Sequence, residues 1–270
     1  MARIAEAELA ELKRKFQRLV GVQFQSLALP VAALEAFEPS QIGSIVGALM
    51  DALIPHLPDL PEVGLQKHAG ILKDREGYPD YKHVSGKRLE LKLVYVQNKN
   101  LKMKAPSTPR EPSARLSQKV TRKNVDPAND AMLLIAYRME PQANNPAAAS
   151  PKIIDLEVLS MIDLVDARDK RMVESGGRWF GNYETPAIPS KIGKAKLKKG
   201  ELLTEAYGRK ESEGKDYNED TNFGKLRRIP HKRLQNFLDK HRLKKDGSEL
   251  GLNQAIEEMQ EKLEEMEGKN

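Results

Sequence analysis

The stretch Gly77-Tyr-Pro-Asp-Tyr-Lys-His-Val-Ser-Gly-Lys-Arg-Leu-Glu-Leu-Lys-Leu-Val-Tyr-Val96 decides how this chain reads. From Leu89 onward apolar and charged residues alternate and then give way to an apolar, β-branched end, the pattern of a strand. Alternation with period two puts Glu90 and Lys92 on one face and turns Leu91 and Leu93 toward a core. Asp80 precedes Glu90 by a linker of nine residues that contains Ser85-Gly86. That length and that Gly suit a tight return between adjacent strands, which would bring Asp80 to the same sheet edge as Glu90.

Outward from this stretch, Ala131-Met-Leu-Leu-Ile-Ala-Tyr137 is an unbroken apolar run of strand length, the pattern of a central strand buried on both faces. Lys152-Ile-Ile-Asp-Leu-Glu-Val-Leu159 is a third strand, reached through a loop from Gln142 to Ser150. Between the first two strands lie a polar loop, Asn98 to Pro112, and a basic segment, Ser113 to Lys123, that reads as a helix capped by Ser113. On the N-terminal side, Ile4, Leu9, Leu12, Phe16, Leu19 and Val20 fall at helical spacing, predicting an amphipathic helix from residue 3 to about 25. A second helix, Ile42 to Leu57, opens at Pro39-Ser40 and is ended by Pro55 and Pro58. Pro230 to His241 reads as a short helix. Leu252, Ile256, Met259, Leu263 and Met266 carry a terminal one over about 249–268. Residues 175–220 show weak periodicity and read as an arm that orders on a partner. Strands interrupted by a helix give an α/β or α+β expectation: a central mixed β-sheet flanked by helices, with helical N- and C-terminal additions. The 270 residues suit one domain, with a core at about 62–165, a helical region at 1–60 and a basic region at 166–245.

Charge is unevenly spread. Residues 73–123 hold 14 Lys or Arg against 5 Asp or Glu, residues 191–245 hold 17 against 8, and residues 249–270 hold 2 against 7. Two basic segments and an acidic tail fit a polyanionic partner, because Lys and Arg displace counterions from phosphates; a solvated, lysine-rich surface reads the same way on charge alone. The chain has no cysteine, which excludes disulfides and thiolate catalysis and suits a reducing cytoplasm. No signal-peptide core or membrane-length apolar run is present, so neither export nor a membrane partner is expected. The glycine fingerprints of ATPases, dinucleotide enzymes and α/β-hydrolases are absent as well, and with them the expectation of a nucleotide cofactor.

Two carboxylates meeting a lysine suit a hard divalent cation such as Mg²⁺, which takes oxygen ligands and substrate phosphate. The metal acidifies a water and offsets charge on a phosphorane-like transition state, while Lys92 positions that water. The chemistry implied is phosphodiester hydrolysis. The plain alternative is an exposed strand face carrying Glu and Lys, with Pro79-Asp80 as a turn.

Pro79-Asp80, nine residues, then Glu90-Leu91-Lys92 resembles the PD-(D/E)XK nuclease motif. The likeness covers residues 77–137 and implies a restriction-endonuclease-like core. It further implies metal ligation by Asp80, Glu90 and the Leu91 carbonyl, with Lys92 at the attacking water. A chain of this length without a helicase signature resembles a type II restriction endonuclease: a homodimeric, Mg²⁺-dependent enzyme cutting double-stranded DNA at specific sites. A structure-specific or repair nuclease and a non-catalytic nucleic-acid-binding module are the alternatives. Relatives often add an acid from the preceding helix, for which Asp51, Asp59 and Glu62 are the choices.

For DNA contact the segment after the catalytic strand offers Arg110, Arg115, Gln118, Lys119, Arg122, Lys123 and Asn124, and a second stretch offers Arg227 and Arg228 beside an apolar anchor. Arg pairs with guanine and Asn or Gln with adenine, although most such residues contact phosphates. Trp179 reads as a loop anchor or a DNA wedge. The five histidines show no metal-ligand spacing, and His83 reads as solvent-exposed.

Overall fold

The computed structural model describes residues 2–37, 39–57, 63–68, 77–98, 100–101, 114–117, 120–174, 178–180, 185–187 and 224–241. Its centre is a mixed six-stranded sheet built from β1 (Leu29–Pro30), β2 (Leu65–Lys67), β3 (Tyr81–His83), β4 (Arg88–Tyr95), β5 (Asp130–Gln142) and β6 (Asn145–Ser160), in the order β1-β6-β5-β4-β3-β2. β4 and β5 run parallel, and every other neighbouring pair is antiparallel. A parallel pair needs a long crossover, here residues 96–129.

Both faces of the sheet are covered. Leu89, Leu91, Leu133, Ile135 and Tyr137 face a core closed by α1 (Glu6–Phe16), α2 (Val31–Ala36) and α3 (Pro39–Leu53). Val94, Met132, Leu134 and Ala136 face a second core with the crossover residues Leu116, Val120 and Val125, α4 (Met161–Glu174) and α5 (Lys232–Lys240). The unbroken apolar run of β5 follows from this arrangement, since each of its residues lies against one core or the other. The α+β class with a helix-flanked mixed sheet is therefore as expected, and α5 forms where Pro230 to His241 was read as a helix. His231 Nδ1 accepts the Leu234 N–H at its start.

Three expectations are corrected. The first helix stops at Phe16 and is followed by a 3-10 turn, Gln17–Leu19, because the chain beyond is captured by β6: Gly21 N–H donates to Ile153, Ile153 N–H to Val22, and Gln23 bridges Lys152. The loop read at Gln142 to Ser150 is mostly hairpin, turning at residues 143–144. Pro146 and Pro151 are tolerated because the outer side of β6 is paired only in part, by the two residues of β1 and by residues 21–24. The basic segment read as a helix is not helical among its described residues, 114–117 and 120–123. Tertiary contacts override its propensity: Arg168, buried on α4, donates to the Ser117 and Val120 carbonyls.

The strand pair β7 (Arg178–Phe180) and β8 (Thr185–Ala187) lies within the stretch read as an arm and sets Trp179 opposite Pro186. The remainder of 175–220 and the terminal helix at 249–268 lie outside the described residues. Among the described residues no helix is long and apolar enough to cross a membrane.

Candidate active site

β3 and β4 form a hairpin pairing Tyr81 with Leu89 and Lys82 with Arg88. The turn closes with Gly86 N–H donating to His83 O at 2.9 Å and His83 N–H to Lys87 O at 2.8 Å. Gly86 sits at φ 85°, a conformation that side chains with a Cβ rarely adopt. Because β3 begins only at Tyr81, β4 outruns it toward Leu91, and Asp80 occupies the vacated position in the ladder. Its Oδ2 accepts the Leu91 N–H at 2.7 Å, and its carbonyl accepts the His68 N–H at 3.0 Å. In an extended strand the N–H and C=O of one residue leave by the same edge, so the Leu91 carbonyl also leaves β4 on the Asp80 side.

On β4, Lys92 Nζ donates to Glu90 Oε1 at 2.5 Å. The face that carries this pair is buried rather than solvated. Glu90 stands beside Met132 and Lys92 beside Leu134 in the parallel register, and Glu90 is 3% exposed. Burial raises the Asp80 pKa; the Lys92 charge and the Leu91 N–H work against that rise, and Asp51 adds to it. The hairpin brings Asp80 onto β4 through the Leu91 N–H, and on the same strand Glu90 is paired with Lys92, whose charge acts on Asp80.

Asp51 lies close enough to act on Asp80. It is carried by α3, accepts from the Tyr81 hydroxyl and pairs with Lys67 of β2 at 2.7 Å. Lys67 also sits 4.4 Å over the Tyr81 ring. Of the three acids weighed for a helix-borne ligand, Asp51 is thus the one placed near the site; Asp59 and Glu62 lie outside the described residues.

A second buried group holds the segment that leads into Asp80. Asp130 accepts from the Tyr78 hydroxyl at 2.5 Å, from Arg88 Nε and Nη2 at 2.5 Å each, and from the Asp126 N–H at 2.8 Å. Tyr78 is two residues before Asp80, so this network fixes the approach to the site. The sequence offered a weak signal, an acid at the head of an apolar strand and an arginine at the head of another. Only the parallel register that sets Arg88 against Asp130 unites them.

No protein-family model, curated protein or solved structure matches this chain. The site must be read from its own chemistry.

Asp80 at the edge of β4 and Glu90 buried on its face are oxygen donors, the type a hard cation takes. Among the described residues no group of three or more His, Asp or Glu is placed to hold a metal ion. His83 is corrected from exposed to buried. Its ring packs edge-on to Phe16 at 5.6 Å, its Nδ1 lies 2.7 Å from Ser85 Oγ, and burial lowers its pKa.

The DNA-contact candidates are dispersed in role. Arg115 is exposed and bridges Lys225. Arg122 is exposed and pairs with Asp166 at 2.5 Å; Lys123 is exposed; the Asn124 carbonyl accepts from Arg88. Arg227 pairs with Asp239 at 2.5 Å, and the Arg228 carbonyl accepts from Arg171. Arg110, Gln118 and Lys119 lie outside the described residues.

Proposed function

We propose that this protein is a Mg²⁺-dependent endonuclease that hydrolyses phosphodiester bonds in double-stranded DNA at specific sites, working as a homodimer in the cytoplasm. The observation that supports the reading is the seating of Asp80 on the Leu91 N–H, on the strand that carries the Glu90–Lys92 pair. Asp80, Glu90 and the Leu91 carbonyl would hold the metal. Bound there, Mg²⁺ supplies a Lewis acid that makes hydroxide accessible at neutral pH and offsets charge on the phosphate.

The chain's own groups do the positioning. Glu90 fixes the Lys92 ammonium through the 2.5 Å contact, so the lysine meets an incoming water in a set orientation. The Lys92 ammonium donates to that water's oxygen and holds it against the phosphate. Asp80 is locked by the Leu91 N–H, so its second oxygen is directed without a search over rotamers. The raised Asp80 pKa makes cation capture weaker in acid, where the proton competes for the same oxygens.

The test is incubation of the full chain with long unmethylated DNA, with Mg²⁺ or chelator, beside Asp80→Ala and Lys92→Ala variants of verified fold. Discrete fragments that require Mg²⁺ and vanish in both variants are expected. Cleavage confined to branches or ends would favour a structure-specific nuclease. A protein that binds DNA but cuts none of these substrates would leave only a binding module.

A further inference from the structure

The two basic stretches lie about a hundred residues apart in sequence, yet the fold joins them. Leu116 N–H donates to Gly224 O at 2.7 Å and Leu226 N–H to Ala114 O at 3.1 Å, which sets Arg115 directly across from Lys225 in an antiparallel bridge. Leu116 and Leu226 are buried beneath it, so the bridge is anchored to the second core. Gly224 is required there: a Cβ would lie 2.2 Å from the Leu116 carbonyl oxygen.

Two further ties hold this unit in place. Arg168 binds the Ser117 and Val120 carbonyls from α4, and Arg171 on the same helix donates to the Arg228 carbonyl. Beside the bridge, Arg171, Arg227, Arg228, Ile229, Pro230 and Gln235 line an open depression of about 530 Å³. Within it Arg227 is steadied by Asp239 and by Gln235 Oε1 at 3.3 Å.

The bridge sets Arg115 beside Lys225 and the depression adds three arginines, so cationic side chains carried by separate segments are gathered on one clasped stretch of backbone, the charge complement of a chain of phosphates. We propose that the Arg115–Lys225 bridge and the adjoining arginine-lined depression form one phosphate-gripping surface for the backbone of duplex DNA. The assignment of DNA as the polyanion rests on the nuclease reading; the surface itself rests on the bridge. Planar guanidiniums suit bidentate phosphate contact, and positions on a clasped backbone lose little freedom on binding.

The experiment measures binding of a fluorescent DNA duplex without divalent metal, using the full chain carrying Asp80→Asn, across a salt series. An added Arg115→Gln/Lys225→Gln pair should lower the slope of log K against log salt by about 2 and weaken binding at every duplex sequence alike. Gly224→Val keeps every charge but separates the two segments, and it too should weaken binding. Should that variant fail to fold, the exposed glutamine pair still decides. An unchanged affinity and slope in the pair would overturn the proposal, as would binding of duplex RNA with the same pair dependence and no binding of duplex DNA. If the wild type cuts DNA while the pair has no effect, the surface is wrong and the nuclease reading stands. If the pair weakens DNA binding while the wild type never cuts, the surface stands and the nuclease reading falls.

Discussion

Replacing Lys92 by Met takes the cation from beside a carboxylate that the fold has buried. Glu90 keeps 4% of its side-chain surface and Lys92 keeps 19%, so solvent can do little to replace the lost partner. Breaking such a pair from one side costs about 3–5 kcal/mol, and the partial exposure of Lys92 puts this one near about 3. At roughly 2–4 °C per kcal/mol for a chain approaching this size, Lys92→Met should lower Tm by about 6–12 °C. Glu90→Gln alone, which leaves the part-exposed Lys92 to solvent, should cost about 1 kcal/mol, and Glu90→Gln/Lys92→Met, which removes both charges of the pair, should lie within about 1 kcal/mol of the wild type, giving a favourable coupling of about 3 kcal/mol. Urea unfolding of the wild type, both single variants and the double variant measures the cycle. The double variant should be folded and still fail to cut DNA, which separates the site's chemistry from its contribution to stability. Additive losses, with no coupling between the two positions, would refute the buried-pair account; a double variant that still cleaves would remove Glu90 and Lys92 from the mechanism.

Other outcomes follow from the same geometry. Burial raises the Asp80 pKa in the folded state, so the folded chain binds that proton more tightly than the unfolded one; the stability this adds in acid is lost as pH rises from the ordinary carboxylate value through the raised one. Asp80→Asn, which keeps an acceptor for the Leu91 N–H, should therefore melt higher than the wild type at neutral pH while losing Mg²⁺-dependent cleavage, and an equal or lower Tm there would contradict this. Asp130→Ala strips Arg88 and Tyr78 of their buried acceptor and should cost about 3 kcal/mol by urea titration; a loss below about 1 kcal/mol would show that the network does not hold the approach to Asp80. Burial works to raise Asp155, but hydrogen bonds from His241 and Lys240 outweigh it and hold the carboxyl well below its usual range. The docking of α5 that this adds is present above the ordinary carboxylate pKa and lost as pH falls through the lowered one. Since Lys240 is largely exposed, Asp155→Asn should cost only about 1 kcal/mol at pH 7 and nothing in strong acid, read from melts at the two pH values.

What the sequence determined by itself was local. Alternation in β4, the unbroken apolar run of β5 and the turn at Ser85-Gly86 sufficed for the sheet and for bringing Asp80 to the Glu90–Lys92 strand, because strand periodicity and hairpin length are short-range properties. Elements whose partners are distant in sequence were decided elsewhere. Residues 20–24 look helical until the nearly bare edge of β6 captures them, and residues 114–117 look helical until Arg168 and Gly224 hold them extended. Burial of Glu90 was equally hidden, since nothing near it in sequence shows that α4, α5 and the crossover cover that face. The union of Arg88 with Asp130 and of Arg115 with Lys225 depends on register between segments about 40 and 110 residues apart. Chain closure over such distances is selected by the packing of the whole core, so only the tertiary structure could decide it.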